Sequence, residues 1–173
     1  MKKQIFLVII LISVVSLGYL WSTEGNKIRE IKTVINIDAP PAKVWQTLTD
    51  IEKWAEWNPI VNQSSGSVAL GSKLKITMRN EDGNDANSYE AMITELDEQK
   101  SFRWHGKMLS ELLMSNDKVI ELEEIDSGTR LIHRETFSGI FVLLFWGKLN
   151  EHVPTMLNSM NEALKLTIEN SRT

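Results

Sequence analysis

Thr129 to Phe137 alternates in character and carries the two side chains in this chain best suited to proton transfer, His133 and Glu135. If Leu131 and Phe137 face inward, His133 and Glu135 do too, because residues two apart share a strand face. An imidazole and a carboxylate held within a few ångströms can act as an acid/base pair. A carboxylate so placed has a raised pKa unless it is paired. The other register puts Arg130, Ile132, Arg134 and Thr136 inside and turns His133 and Glu135 outward. A structural hydrogen bond inside is a further use of the same pair. Trp104 falls on an adjacent part of the same sheet, with His105 on the opposite face.

Signals for other chemistries are missing. The sequence has no His-Glu-x-x-His, no P-loop, no Gly-x-Ser-x-Gly and no Gly-x-Gly-x-x-Gly. Cysteine is absent, which excludes disulfides, thiolate metal sites and a Cys nucleophile. Asn80 to Asp85 hints at calcium ligands but lacks the EF-hand spacing and reads as a hairpin turn. No metal and no cofactor are expected. The 19 Lys and Arg against 23 Asp and Glu give a net charge of -4, which argues against a nucleic-acid partner.

The elements that must position these residues follow from periodicity. Ile31, Thr33, Ile35 and Ile37 alternate, so Ile28 to Ile37 reads as a strand. Pro40-Pro41 ends it and starts a short helix over Ala42 to Leu48. A second short helix, which Asp50 can cap, runs to about Trp57 before Asn58-Pro59. Trp45, Trp54 and Trp57 either pack these helices onto a sheet or wall a cavity. Six strands follow, over Ile60–Ser67, Ser72–Arg79, Asn87–Leu96, Ser101–Met108, Leu112–Glu124 and Thr129–Phe137. Turn residues such as Asp82-Gly83 and Ser127-Gly128 separate them, as in an antiparallel meander. Leu149, Val153, Met156, Leu157, Met160, Leu164 and Ile168 recur every three or four residues, so Asn150 to about Asn170 reads as a long amphipathic helix. Pro154 falls in its first turn. Ile140 to Trp146 is an unbroken apolar run. It is either a buried join between strand and helix or a loop that dips into a bilayer.

Lys2 and Lys3 precede an uncharged stretch, Ile5 to Trp21. Residues 1–21 read as an uncleaved membrane anchor or, alternatively, as a cleaved signal, with Ser16-Leu17-Gly18 the best cleavage candidate. Tyr19 and Trp21 fit an interfacial aromatic belt. The anchor reading gives a single N-terminal span, a polar linker over 22–27 and a domain over 28–171 on the outer, periplasmic or extracellular side. Signal cleavage gives a secreted domain instead.

Several local words of the sequence are similar to those of one superfamily. They are Asn36-Ile37-Asp38-Ala39-Pro40-Pro41-Ala42-Lys43-Val44-Trp45, Leu48-Thr49-Asp50 and Trp54-Ala55-Glu56-Trp57-Asn58-Pro59. Further on come Gly128-Thr129-Arg130-Leu131, Phe137-Ser138-Gly139 and Met160-Asn161-Glu162-Ala163-Leu164-Lys165. Over about Glu30 to Glu169 the chain resembles the START-like, or SRPBCC, superfamily of polyketide cyclases, dehydrases and lipid carriers. Some membrane-anchored members look similar. The resemblance implies an α+β helix-grip fold, a seven-stranded curved antiparallel sheet around the C-terminal helix with a cavity between them. The expected occupant is a small hydrophobic or lipid-like molecule. Trp57, Met92 (or Ile93), Trp104, Leu131, Phe137, Met156 and Met160 are the expected walls. The alternative is a cyclase, dehydratase or hydrolase using His133 and Glu135. The sequence gives no signal for the oligomeric state.

Overall fold

Period two governs the middle of the chain and period three-to-four its ends. The computed structural model describes residues 2–20, 22, 27–80 and 82–171. Helix α1 covers Lys2–Leu20 and strand β1 covers Arg29–Ile37. Helix α2, Pro41–Thr49, leads through a 3-10 turn at Ile51–Lys53 into the single turn of α3, Trp54–Trp57. Six strands follow: β2 Val61–Gly66, β3 Lys73–Arg79, β4 Asp85–Asp97, β5 Ser101–Met108, β6 Met114–Ile125 and β7 Gly128–Ser138. Helix α4, Ile140–Asn170, closes the chain.

The strands form one seven-stranded antiparallel sheet in the order β1-β7-β6-β5-β4-β3-β2. Consecutive strands pair by hairpins, and the last strand returns beside the first. The sheet curves around α4, which packs closely on β1 and touches β6, β7 and the short helices. Strand alternation decides what faces the helix. On β7 Leu131, His133, Glu135 and Phe137 are all buried, so the inward register is the one adopted. At the start of β7 the turn needs a glycine. Gly128 has φ +129°, and a Cβ there would collide with the Ile37 carbonyl. That close approach lets Thr129 Oγ1 donate to the Ala39 carbonyl at 2.6 Å, which pins the β1–α2 corner to β7.

The tryptophans near the short helices act mainly as core. Trp54 packs against Trp104 with ring centroids 5.8 Å apart, and its Nε1 donates to the Leu48 carbonyl at 2.9 Å. Phe102 stacks on Trp104 and meets Trp45 edge-on, both at 5.6 Å. The stripe of α4 then closes the core with Met160, Leu164 and Ile168.

Three sequence expectations need correction. The long helix begins at Ile140, not Asn150, so the apolar run over Ile140 to Trp146 is neither loop nor join but the first turns of α4. Val142 is buried there while Leu144 and Phe145 are exposed. The Ile140 and Phe141 amides donate to the Leu112 and Leu113 carbonyls, and Arg29 donates to the Val142 carbonyl, which fixes this end. Pro154 is therefore interior to the helix. The hydrogen bond its ring removes is offset by buried neighbours, Val153 and Leu157. Asp50 makes no cap. Its carboxylate pairs with Lys53 at 2.8 Å instead.

The N-terminal segment is helical, but among the described residues no helix is long and apolar enough to cross a membrane. The expected single span over residues 1–21 therefore has no support among the described residues. Trp21 and the expected linker at 22–27, except Ser22 and Lys27, lie outside the described residues.

If the sheet grips α4 as described, its two faces will tolerate truncation very differently. Leu164 is fully buried and Leu166 is 57% exposed. Leu164→Ala should cost about 2–5 kcal/mol in denaturant unfolding, and Leu166→Ala about 0.5 kcal/mol or less. Equal losses would contradict the grip.

Candidate ligand cavity

The antiparallel register lines up one unusual row across the sheet. Ile31 on β1 is opposite Glu135 on β7, Glu135 is opposite Lys118 on β6, and Lys118 is opposite Trp104 on β5. An acid and a base directly opposed on neighbouring strands attract each other. Here both are buried, Lys118 at 7% exposure and Glu135 at 8%. Lys118 Nζ lies 3.5 Å from Glu135 Oε2 and 5.4 Å from the centre of the Trp104 ring. The ring face attracts the ammonium. Glu135 Oε1 accepts from Asn116 Nδ2 at 2.7 Å. Asn116 can stand there because Gly106 opposes it. A Cβ at Gly106 would come within 3.0 Å of Asn116 Oδ1.

Electrostatics keep the Lys118 ammonium charged in its buried place. Burial by itself pulls the Lys118 pKa down, yet the Glu135 carboxylate and, less strongly, Tyr89 outweigh it, and the net shift is upward. The phenol of Tyr89 is pushed up, first by burial, with Lys118 opposing and Glu135 adding. It stays neutral at physiological pH. The site therefore presents one ammonium, one carboxylate, one amide and one phenol.

His133 belongs to a different network. Its Nδ1 lies 3.1 Å from Asn161 Oδ1 on α4, and Asn161 Nδ2 donates to Thr33 Oγ1 on β1 at 2.9 Å. With Asn161 oxygen accepting, Nδ1 carries the proton and Nε2 is bare. Nε2 is buried without a partner. Burial, with a further push from the Lys118 charge, lowers the His133 pKa from 6.5 to about 3, against a small upward pull from Asn161. His133 and Glu135 share the inner face but bond to separate partners, so the structure does not bring them together as an acid/base pair. His105 lies elsewhere, between Glu111 and Asp117 at 3.1 Å from each.

Between α4 and the concave face lies a cavity of about 610 Å³. Its apolar walls come from Met78, Met108, Met114 and Phe137 on the sheet and from Leu149, Val153, Met156 and Leu157 on α4. Its inner polar groups are Tyr89, Asn116, Lys118 and Glu135, and the exposed residues Asn87, Ser88 and Lys107 also lie on its wall. Of the residues expected from sequence, Phe137, Met156 and Glu135 line it. Leu131, Met160 and Trp104 are buried in the core beyond it, and Trp104 reaches it only through the Lys118 that lies on its ring. Met92 is 45% exposed and faces away, while its neighbour Ile93 takes the inner position. Trp57 lines a separate, more polar hollow of about 620 Å³ between the short helices and α4, shared with Lys43, Asp50 and Glu56.

Sequence reasoning missed Lys118 and Asn161, although both carried a signal. Lys118 is in phase with Ile120 and Leu122, the inward positions of β6. Asn161 follows Leu157 by four and precedes Leu164 by three, which sets it on the buried stripe.

This architecture is the helix-grip class. The family described as polyketide cyclase / dehydrase and lipid transport matches residues 29–169, and the chain belongs to it. Solved structures agree on the fold. The di-domain aromatase/cyclase StfQ of the steffimycin biosynthetic pathway superposes with TM-score 0.69 at 13% identity, over 84% of this chain and 52% of that one. The chain thus spans about half the length of that protein. A protein from Nitrosomonas europaea gives 0.62 at 18% identity, over 82% of this chain and 96% of its own. A Staphylococcus aureus protein of unknown function gives 0.64 at 17%, over 84% and 96%. No curated protein matches the chain.

The His133 shift makes a stability prediction. Its folded pKa lies below the unfolded value, so protonation favours the unfolded chain. The contribution is complete above about pH 6.5 and is lost as pH falls toward 3. One proton corresponds to about 1.4 kcal/mol per pH unit. Urea unfolding of the wild type between about pH 6 and pH 5 should show that added slope, and His133→Gln should lack it, whatever its absolute stability. Parallel slopes would show that His133 does not sit neutral in the fold.

Proposed function

We propose that the domain binds a small hydrophobic or lipid-like molecule between α4 and the sheet. The observation that carries this reading is the cavity itself. At about 610 Å³ it falls in the range of small-molecule sites, and its walls are mostly apolar with a few convergent polar groups. Four methionines, Met78, Met108, Met114 and Met156, line it. Unbranched thioethers adapt to ligands of varied outline. Membership in a family that includes lipid transport supports the same reading.

The enzymatic alternative, a cyclase-, dehydratase- or hydrolase-type reaction, shares the cavity. It retains Glu135, which lines the cavity, but His133 does not line it and is bound to Asn161. The binding reading stands ahead because Glu135 is already engaged by Lys118 and Asn116.

Export to the outer, periplasmic or extracellular side is part of the proposal. Lys2 and Lys3 followed by an apolar helix form the arrangement that export machinery reads. Protease added outside the intact cytoplasmic membrane of the host should degrade the domain, whether residues 1–21 stay as an anchor or are cleaved as a signal. Full protection of the domain would remove this part.

Native mass spectrometry of the full chain from its host should show a co-purified hydrophobe. Met156→Trp should fill the cavity and weaken binding of an apolar fluorescent probe by about tenfold or more, with the unfolding midpoint little changed. Unchanged probe binding would place the ligand elsewhere.

A further inference from the structure

The polar end of the cavity specifies more than apolarity. Lys118 offers three N–H donors, and its neighbours in the protein are one carboxylate oxygen at 3.5 Å and the Trp104 ring. Glu135 accepts one bond from Asn116 and the charge of Lys118, and each of its oxygens keeps a free lone pair. Tyr89 adds a neutral phenol. Donors and acceptors therefore stand side by side at one end of the hollow. Their net charge is zero.

We propose that this end selects a neutral hydroxyl-bearing hydrophobe, an alcohol or phenol with an apolar body, over equally apolar acids and amines. The inference rests on the binding function proposed above and names its ligand class. A hydroxyl can donate to Glu135 and accept from Lys118 at once, leaving the buried pair intact. A carboxylate would compete with Glu135 for the one buried ammonium, because Lys107 is exposed and pairs with Glu111, and an ammonium would compete with Lys118 for the buried carboxylate. Either one brings an uncompensated charge into a low-dielectric site, which weakens binding unless that charge is paired. The apolar walls cannot make this distinction, because they contact only the body of the ligand.

Isothermal titration calorimetry of the full chain with decanol, decanoate and decylamine at neutral pH tests it. The wild type should bind decanol about tenfold or more tightly than either charged homologue. Glu135→Gln keeps the shape but leaves Lys118 an unpaired cation, and its preference should move to decanoate. Lys118→Met leaves Glu135 unpaired, and its preference should move to decylamine. Should either variant fail to fold, the other and the wild-type ranking still decide. Equal binding of the three probes by the wild type, or a preference for decanoate, overturns the head-group inference and leaves the binding function standing. Binding of none of them overturns both.

Discussion

A single hydrogen-bonded chain, Thr33 to Asn161 to His133, divides the interior of this domain. It runs from β1 through the middle of α4 to β7, with all three residues buried. On one side lies the large core of Ile37, Trp54, Phe102, Trp104, Leu131, Leu164 and Ile168. On the other lies a smaller cluster of Ile31, Phe137, Val142, Val153 and Leu157. Buried polar groups are tolerated only when bonded, so Asn161 can sit in one rotation and one register of the helix. An apolar stripe alone would let α4 slide along the sheet. The bonded seam fixes where it stops.

The cavity follows from that placement. The first half of α4 reaches well beyond the main core, over the ends of β5, β6 and β7. There the sheet supplies methionines, Phe137 and the Lys118–Glu135 row rather than branched aliphatics. The space between helix and sheet is left open there, whereas Leu and Ile fill it on the other side. The charged row would be costly in a closed core, since both ions lose water. It lies at the edge of a hollow, where the ring of Trp104 and the amide of Asn116 replace part of that lost water.

Much of the fold was legible because strand and helix periods are strong signals. All seven strands, both short helices and the amphipathic stripe lie where alternation puts them, within a few residues. The sequence left two registers open for β7, and the structure adopts the one with Leu131 and Phe137 inward. The failures have identifiable causes. Ile140 to Trp146 is apolar on every side, so no period revealed it as helix, and the contacts that settle it are tertiary: Leu112, Leu113 and Arg29. Pro154 looked like a start because a proline is costly inside a helix, and packing overrode that preference. Met92 and Ile93 could not be separated because β4 carries an irregularity beside Ile93 that shifts the pairing with β5. The candidate site was less legible. His133 and Glu135 were singled out in only one of two open registers, and their partners, Asn161 and Lys118, come from other elements that only the assembled register joins to them.

The same register explains why the interior separates its two polar groups. Along β7 the inward residues alternate through Leu131, His133, Glu135 and Phe137, and the cross-strand partner decides the role of each. His133 stands between Thr33 and Ile120, so its polar contacts lie toward β1 and α4, and it serves the seam. Glu135 stands between Ile31 and Lys118, so it pairs with a charge on β6, and it lines the cavity. A slip of one residue between β6 and β7 would move Lys118 out of line with Glu135 and turn it to the outer face. Both groups depend on that single alignment. The seam places the helix, the pair furnishes the cavity, and neither could be arranged without the other strand already in step.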